Sequence, residues 1–151
     1  MFHDHDHYQC QHTALANAEL ICADRGARLT DQRKQVLSLI WQSHRPVKAY
    51  DLLQQLSAHP EATPNKAIQP PIIYRALDFL LEHGLIHRID SLNAFTGCRH
   101  PGAGHDCFFL ICTGCGNADE CCGPELKAAI TATASTHDFT MDRITLEVSG
   151  Q

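Results

Sequence analysis

The sequence predicts an α+β protein, with an N-terminal winged helix-turn-helix followed by a small α/β domain. Three observations carry this. Residues 14–83 contain four stretches whose apolar side chains recur at helical spacing. Two short strand-like runs follow, Leu85–Asp90 and Ala94–Thr96, separated by Ser91-Leu92-Asn93 as in a wing. Beyond them the pattern changes to strand, strand, helix, strand, and six of the eight cysteines lie between Cys98 and Cys122.

Each element has a local reason. Ala14–Arg25 places Leu15, Ala18, Ile21 and Cys22 on one face, and Gly26 is its stop. Thr30 caps a helix running to about Gln42, with Val36, Leu37 and Ile40 inward. Ala49–Leu56 is a short third helix that buries Leu52, Leu53 and Leu56. His59–Gln69, rich in Pro, Thr and Asn, is a loop. Pro70-Pro71 opens a fourth helix, Ile72–His83, ended by Gly84. Its buried stripe is Ile73, Leu77, Leu80 and Leu81. Arg75 points nearly opposite that stripe and Tyr74 flanks it. Helices followed by a hairpin describe a winged helix-turn-helix, whose later helix enters the major groove of DNA. A plain helical domain with an exposed arginine is the competing reading.

The second half is smaller. Cys107–Cys112 is a strand, and Asn117–Cys121 pairs with it after the Cys112-x-x-Cys115-Gly116 turn. Pro124 starts a helix through about Thr136 with Leu126, Ile130 and Ala134 inward. Arg143–Val148 alternates Ile144, Leu146 and Val148 with polar residues as a last strand. Small cores of this kind often need a metal or a second copy of the chain.

Bulk properties narrow the class. The chain has 151 residues, 44% of them apolar and 19% charged, with a net charge of -5, which is a globular balance. The longest strongly apolar run, Cys107–Cys112, is too short for a membrane span. No basic start followed by an apolar stretch opens the chain, so a cytoplasmic, reducing setting is expected. There, eight cysteines and 11 histidines point to metal before disulfides. Charge is uneven: -4 over residues 1–24, +4 over 25–88 and -5 over 89–151. A basic middle in an acidic chain suggests one segment that meets an anion, nucleic acid among the candidates.

Cys112-Thr-Gly-Cys115-Gly is half of a zinc knuckle: the turn aims two thiolates at one tetrahedral ion. A second Cys-x-x-Cys does not follow before Gln151, so within these residues the structural site is partial: its other ligands lie beyond them, come from other residues, or the site does not form. A redox Cys-x-x-Cys fits less well, since such motifs open a helix. A second, dispersed set is His87, Cys98, His105 and Glu120. By residue type alone, Cys107, Cys121, Cys122, His100 and Asp106 are equally available.

Several segments together resemble the ferric uptake regulator family. They are Arg28-Leu-Thr-Asp-Gln-Arg33, Ala49-Tyr-Asp-Leu-Leu53, the run from Ile73 to His87, Phe109-Leu-Ile-Cys112-x-x-Cys-Gly116, and the late Leu146-Glu147. The match covers roughly residues 12–150 in the family's order. Tyr74-Arg-Ala-Leu-Asp-Phe-Leu80, with the His87/Cys98/His105/Glu120 spacing, looks like the family's zinc-uptake branch. The iron branch usually carries a His-His-x-His run where Gly104-His105-Asp106-Cys107 stands here.

The resemblance implies a winged-helix DNA-binding domain over 1–90, a hinge over 91–97, and an α/β dimerisation and metal-binding domain over 98–151. Carried over by position, Tyr50 and Arg75 look like base-reading residues, and Arg28, Lys48 and Tyr74 like backbone or auxiliary DNA contacts. His87, Cys98, His105 and Glu120 look like regulatory zinc ligands, and Cys112 and Cys115 like half of a structural zinc site. The His3-Asp-His5-Asp-His7 lead is not a family motif and is expected to be part of a flexible segment over residues 1–11.

The function implied is a zinc-dependent, homodimeric transcriptional repressor of zinc uptake and homeostasis genes, with zinc as corepressor and a palindromic double-stranded operator. Two imidazoles, a thiolate and a carboxylate suit four-coordinate zinc independently of the resemblance. A regulator answering to iron or another metal is the alternative, followed by a zinc-binding protein that does not bind DNA. A zinc enzyme is not expected. Four protein ligands close the site, and neither H-E-x-x-H nor the H-x-E with P-C-x-x-C deaminase pattern occurs.

Overall fold

The computed structural model describes residues 7–58, 68–102 and 104–151. Four helices come first: α1 (His7–Asp24), α2 (Asp31–Ile40), α3 (Ala49–Ser57) and α4 (Pro70–Glu82). The wing follows as β1 (Ile86–Ile89), one 3-10 turn (Asp90–Leu92) and β2 (Ala94–Gly97). The second part is β3 (Cys107–Cys112), β4 (Ala118–Cys122), α5 (Pro124–Thr136) and β5 (Glu147–Gly150). This is the expected winged helix-turn-helix followed by an α/β unit.

The helical part closes on one core. Ala18 and Cys22 of α1, Val36, Leu37 and Ile40 of α2, and Leu52 and Leu56 of α3 meet Ile73, Ala76, Leu77 and Leu80 of α4. Thr30 caps α2 as expected, its hydroxyl accepting from the Arg33 N–H at 3.3 Å. Gly84 ends α4 in the left-handed region (φ +65°), which costs glycine nothing. Leu53 and Leu81 are only partly buried at the edge of this core.

The wing is a two-stranded antiparallel sheet with Ile86 opposite Gly97 and Ile89 opposite Ala94. Val47, between α2 and α3, bridges to Phe95 through two 2.8 Å backbone hydrogen bonds and ties the wing to the helices. Gly97 is needed for packing, because a Cβ there would lie 2.1 Å from the Trp41 ring. In the second sheet β3 is central, antiparallel to β4 and parallel to β5, with α5 as the crossover.

Four expectations change. First, α1 starts at His7, not Ala14, so residues 7–11 of the expected flexible lead are helical. Gln11 donates to the Ser38 carbonyl at 2.9 Å, a tertiary contact that extends the helix beyond its apolar face. Second, residues 91–97, expected as a hinge, carry regular structure. They form the wing's tip and return strand, with Ala94, Phe95 and Thr96 buried. The link to β3 is residues 98–106, without helix or strand among its described residues. Third, the last strand is Glu147–Gly150, not Arg143–Val148, because only there does the backbone align with Phe109–Cys112. Fourth, the face of α5 expected to be inward is not buried: Leu126 is 41% exposed, and Ile130 and Ala134 are half-buried. Most of the expected loop His59–Gln69 lies outside the described residues, as do His3 and His5.

Candidate metal centre and nucleic-acid interface

Four side chains from four places in the chain converge. His87 stands on β1, Cys98 directly follows β2, His105 lies on the connection, and Glu120 is on β4. One ligand atom from each lies within 4.8 Å of all the others. The local folds explain the meeting. The wing ladder pairs Ile86 with Gly97, and the Cys98 N–H continues it by bonding the Leu85 carbonyl at 3.1 Å, which fixes Cys98 at the end of the wing. On β4, Glu120 stands opposite Phe109 and on the same face as the buried Ala118, so its side chain points toward the wing rather than away.

Glu120 is the hub. Its Oε1 lies 3.2 Å from His87 Nε2, 2.5 Å from His105 Nε2 and 3.8 Å from Cys98 Sγ. Cys98 Sγ is also 3.8 Å from His105 Nε2. The other carboxylate oxygen accepts the Arg99 backbone N–H at 2.8 Å, which fixes the plane of the group. The Glu120 side chain is 2% exposed. Burial alone would raise its pKa, but the His87 side chain, the Arg99 N–H and the His105 side chain together hold it at about 2. The Cys98 thiol is pushed up to about 12, first by burial and then by the Glu120 charge. A metal ion would displace that proton.

The donor chemistry fits zinc. A tetrahedral ion with bonds of 2.0–2.3 Å would hold its donors roughly 3.3–3.6 Å apart, within the spread seen here. One ion so placed would join the wing to the second sheet, because His87 belongs to the first and Glu120 to the second.

The residues left open by type are now separated. Cys107 Sγ is 3.9 Å from His87 Nε2, beside the cluster but not in it, and burial pushes its thiol up to about 11. Asp106 pairs with Lys127 at 2.8 Å instead. The His100 ring packs edge-on against His105, with centroids 5.7 Å apart. Cys121 and Cys122 also fall outside the cluster. A contributor the sequence could not reveal is the Arg99 main chain, since a backbone donor leaves no side-chain signal.

Cys112 and Cys115 form the expected turn. The Cys115 N–H donates to Cys112 Sγ at 3.4 Å, and Gly116 adopts φ +79°. The backbone and side-chain hydrogen bonds from Cys115 lower the Cys112 pKa, the electrostatics a thiolate ligand needs. Among the described residues, no third His, Cys, Asp or Glu joins them.

The candidate DNA contacts sit on the helical part. Tyr50 on α3 is 66% exposed and Tyr74 on α4 is 56% exposed. Arg75, Lys48 and Arg28 are exposed, and among the described residues none of the three forms an ion pair. Arg75 thus points away from the α4 stripe, as the helical spacing predicts.

A winged helix-turn-helix joined to an α/β unit by a shared His/Cys/Glu cluster defines a metal-responsive class of protein. The profile of the ferric uptake regulator family matches residues 24–149. The chain belongs to that family. It is 38% identical over 138 residues to the zinc uptake regulation protein of Escherichia coli K12, covering 90% of this chain and 77% of that protein. A solved zinc uptake regulator complexed with zinc and DNA superposes with a TM-score of 0.82 at 37% identity, over 93% of this chain and 91% of that one. Holo XcZur gives 0.78 at 40% identity, over 91% and 93% of the two chains. Apo XcZur, also 40% identical and covering 93% of each chain, gives only 0.55. The arrangement of this chain is therefore nearer the holo than the apo form of that protein.

Proposed function

We propose that this chain is a zinc-dependent transcriptional repressor, with zinc as corepressor of zinc uptake and homeostasis genes, and that it is not an enzyme. The carrying observation is the cluster of His87, Cys98, His105 and Glu120, built from both parts of the fold. These four hold the regulatory ion, and Cys112 and Cys115 supply half of a structural zinc site. With four protein donors, a bound ion has no open position for a reacting water.

Arg75 and Tyr50 read base edges, while Arg28, Lys48 and Tyr74 contact the backbone or assist. The exposed face of α5 and the β5 edge meet a second copy of the chain, so that two α4 helices address a palindromic operator. Leu126 of α5 and Val148 of β5, 41% and 46% exposed, with Leu110 of β3, 39% exposed and paired in register with Val148, supply the apolar surface. The functional boundary falls in residues 98–106, where the chain leaves the wing. A protein that acts on operators works in the cytoplasm.

Without metal the two parts are free to separate. With it, the ion completes its shell only in the joined arrangement, so zinc selects that arrangement through differential affinity. The likeness to the holo rather than the apo relative supports this reading. Duplexes selected from a random pool in the presence of zinc provide the test. Gel shift with zinc, and its loss on chelation, is expected; equal binding in both conditions would defeat the reading.

A further inference from the structure

We propose that Glu147 is a positioning residue of the switch: its carboxylate grips the tip of the wing and lowers the zinc concentration needed to close the two parts. This rests on the zinc-switch reading above.

The ladder between β1 and β2 ends at the pair Ile89 and Ala94, so the next backbone N–H groups, of Asp90 and Ser91, have no strand partner. Glu147, the first residue of β5, supplies one from the other part of the molecule. Its Oε1 accepts the Asp90 N–H at 2.7 Å, and the Ser91 N–H lies 3.2 Å from Oε2 and 3.4 Å from Oε1. The position of Glu147 is fixed from behind by the β3–β5 register, which sets it opposite Phe109. Ile89, just before the gripped pair, is fully buried with Phe109, Ile111 and Ala118.

The wing therefore meets the second sheet through an apolar plug and a charged acceptor that takes two backbone donors. The carboxylate grip involves none of the four metal ligands, and the plug meets them where the Phe109 ring packs edge-on against His87, centroids 5.3 Å apart. The plug is non-directional and tolerates rotation of the wing, whereas the hydrogen bonds to the carboxylate are directional and do not. Arg143 adds little: its Nη2 is 3.4 Å from Asp90 Oδ2, and its side chain is 79% exposed.

In an open arrangement the carboxylate and both N–H groups return to water. The grip is thus a difference between the two states, and it acts before any metal is bound. It brings His87 of the wing to Glu120 of the sheet, so the ion has less ordering left to do. Removing it should weaken zinc binding although Glu147 touches no ligand.

The test is competition of the full chain with a chelator for zinc, beside the absorption spectrum of the cobalt-substituted site. Glu147→Ala should lower zinc affinity about tenfold, the scale expected for hydrogen bonds to a charged acceptor. Glu147→Gln, nearly isosteric and still an acceptor, should lower it by less, about threefold. Both should keep the wild-type cobalt spectrum, because the ligand set is unchanged. A purely structural role would reduce thermal stability and leave the affinity of the folded fraction unmoved. Cys98→Ser serves as the reference, losing both affinity and thiolate absorption. If it does so while Glu147→Ala and Glu147→Gln match wild type, the grip is overturned. If Cys98→Ser also matches wild type, the zinc-switch reading itself fails, and the role given to Glu147 falls with it.

Discussion

The two parts of the molecule solve the burial problem differently. The helical part builds one continuous core from α1 to the wing, with residues such as Leu52 and Leu80 fully buried. The second part has a buried cluster of only Ile89, Phe109, Ile111 and Ala118 among the described residues, and Ile89 comes from the wing. Its helix α5 buries no residue at all. A sheet with so small a core cannot offset its ordering entropy unaided. The contrast fits the division of labour proposed above: the first part is self-supporting, and the second would gain its stability from the wing, a metal and a second copy.

The sharpest way to break that comparison is to remove the residue the two parts share. Ile89→Ala deletes a fully buried side chain and should cost about 2–5 kcal/mol. Chemical denaturation should show the loss chiefly in the second part, with the helical core melting near its wild-type midpoint. A single transition that moves as one would mean the parts are one cooperative unit.

The next effect is on the metal. Cys98→Ser exchanges a soft thiolate for a weak neutral donor. Zinc sites are worth about 10–16 kcal/mol over four ligands, so one ligand corresponds to roughly 3 kcal/mol, or about 100-fold in affinity. Operator binding plotted against free zinc should shift accordingly in a variant that remains folded and dimeric. Superimposable curves would remove the cluster from the mechanism.

A smaller effect is expected on the reader. Arg75→Ala should reduce discrimination between selected and random duplexes by about 1–3 kcal/mol, with the fold intact because the side chain is exposed. Replacing Lys48 should weaken both duplexes alike and flatten the salt dependence by about one charge. An unchanged ratio in Arg75→Ala would show that Arg75 does not read bases.

Legibility in the sequence followed the same division. Where periodicity met local capping, the elements were readable to within a residue or two: Thr30 capped α2, Pro70 opened α4, and Cys107–Cys112 and Pro124–Thr136 fell where their patterns placed them. Errors came where a distant contact decides. Gln11 holds the polar start of α1 against α2, and the β3 register selects Glu147–Gly150 over the better alternation at Arg143–Val148. The site shows this most clearly. Spacing left nine candidate side chains open, and the choice of four depended on one strand pairing and one backbone N–H, that of Arg99. The motif likeness pointed to the same four because a family's order carries tertiary information that residue types do not.

The mildest perturbation is pH, and its sign follows from the two buried ligands. The Cys98 thiol is pushed up to about 12, by burial first and the Glu120 charge second, so the metal-free site holds that proton throughout the neutral range. Zinc must expel it, and apparent affinity should rise about tenfold for each pH unit between roughly pH 6 and 8. Glu120 adds no competition there, because its pKa is held at about 2. Its contribution to stability has the same sign in a lower window: present above the ordinary carboxylate pKa of 4.5, it is lost as pH falls toward 2. Zinc competition at several pH values checks the first sign. Cys98→Ser should flatten the slope by the one proton it removes, and a wild-type slope as flat as the variant's would mean that Cys98 binds no metal as thiolate.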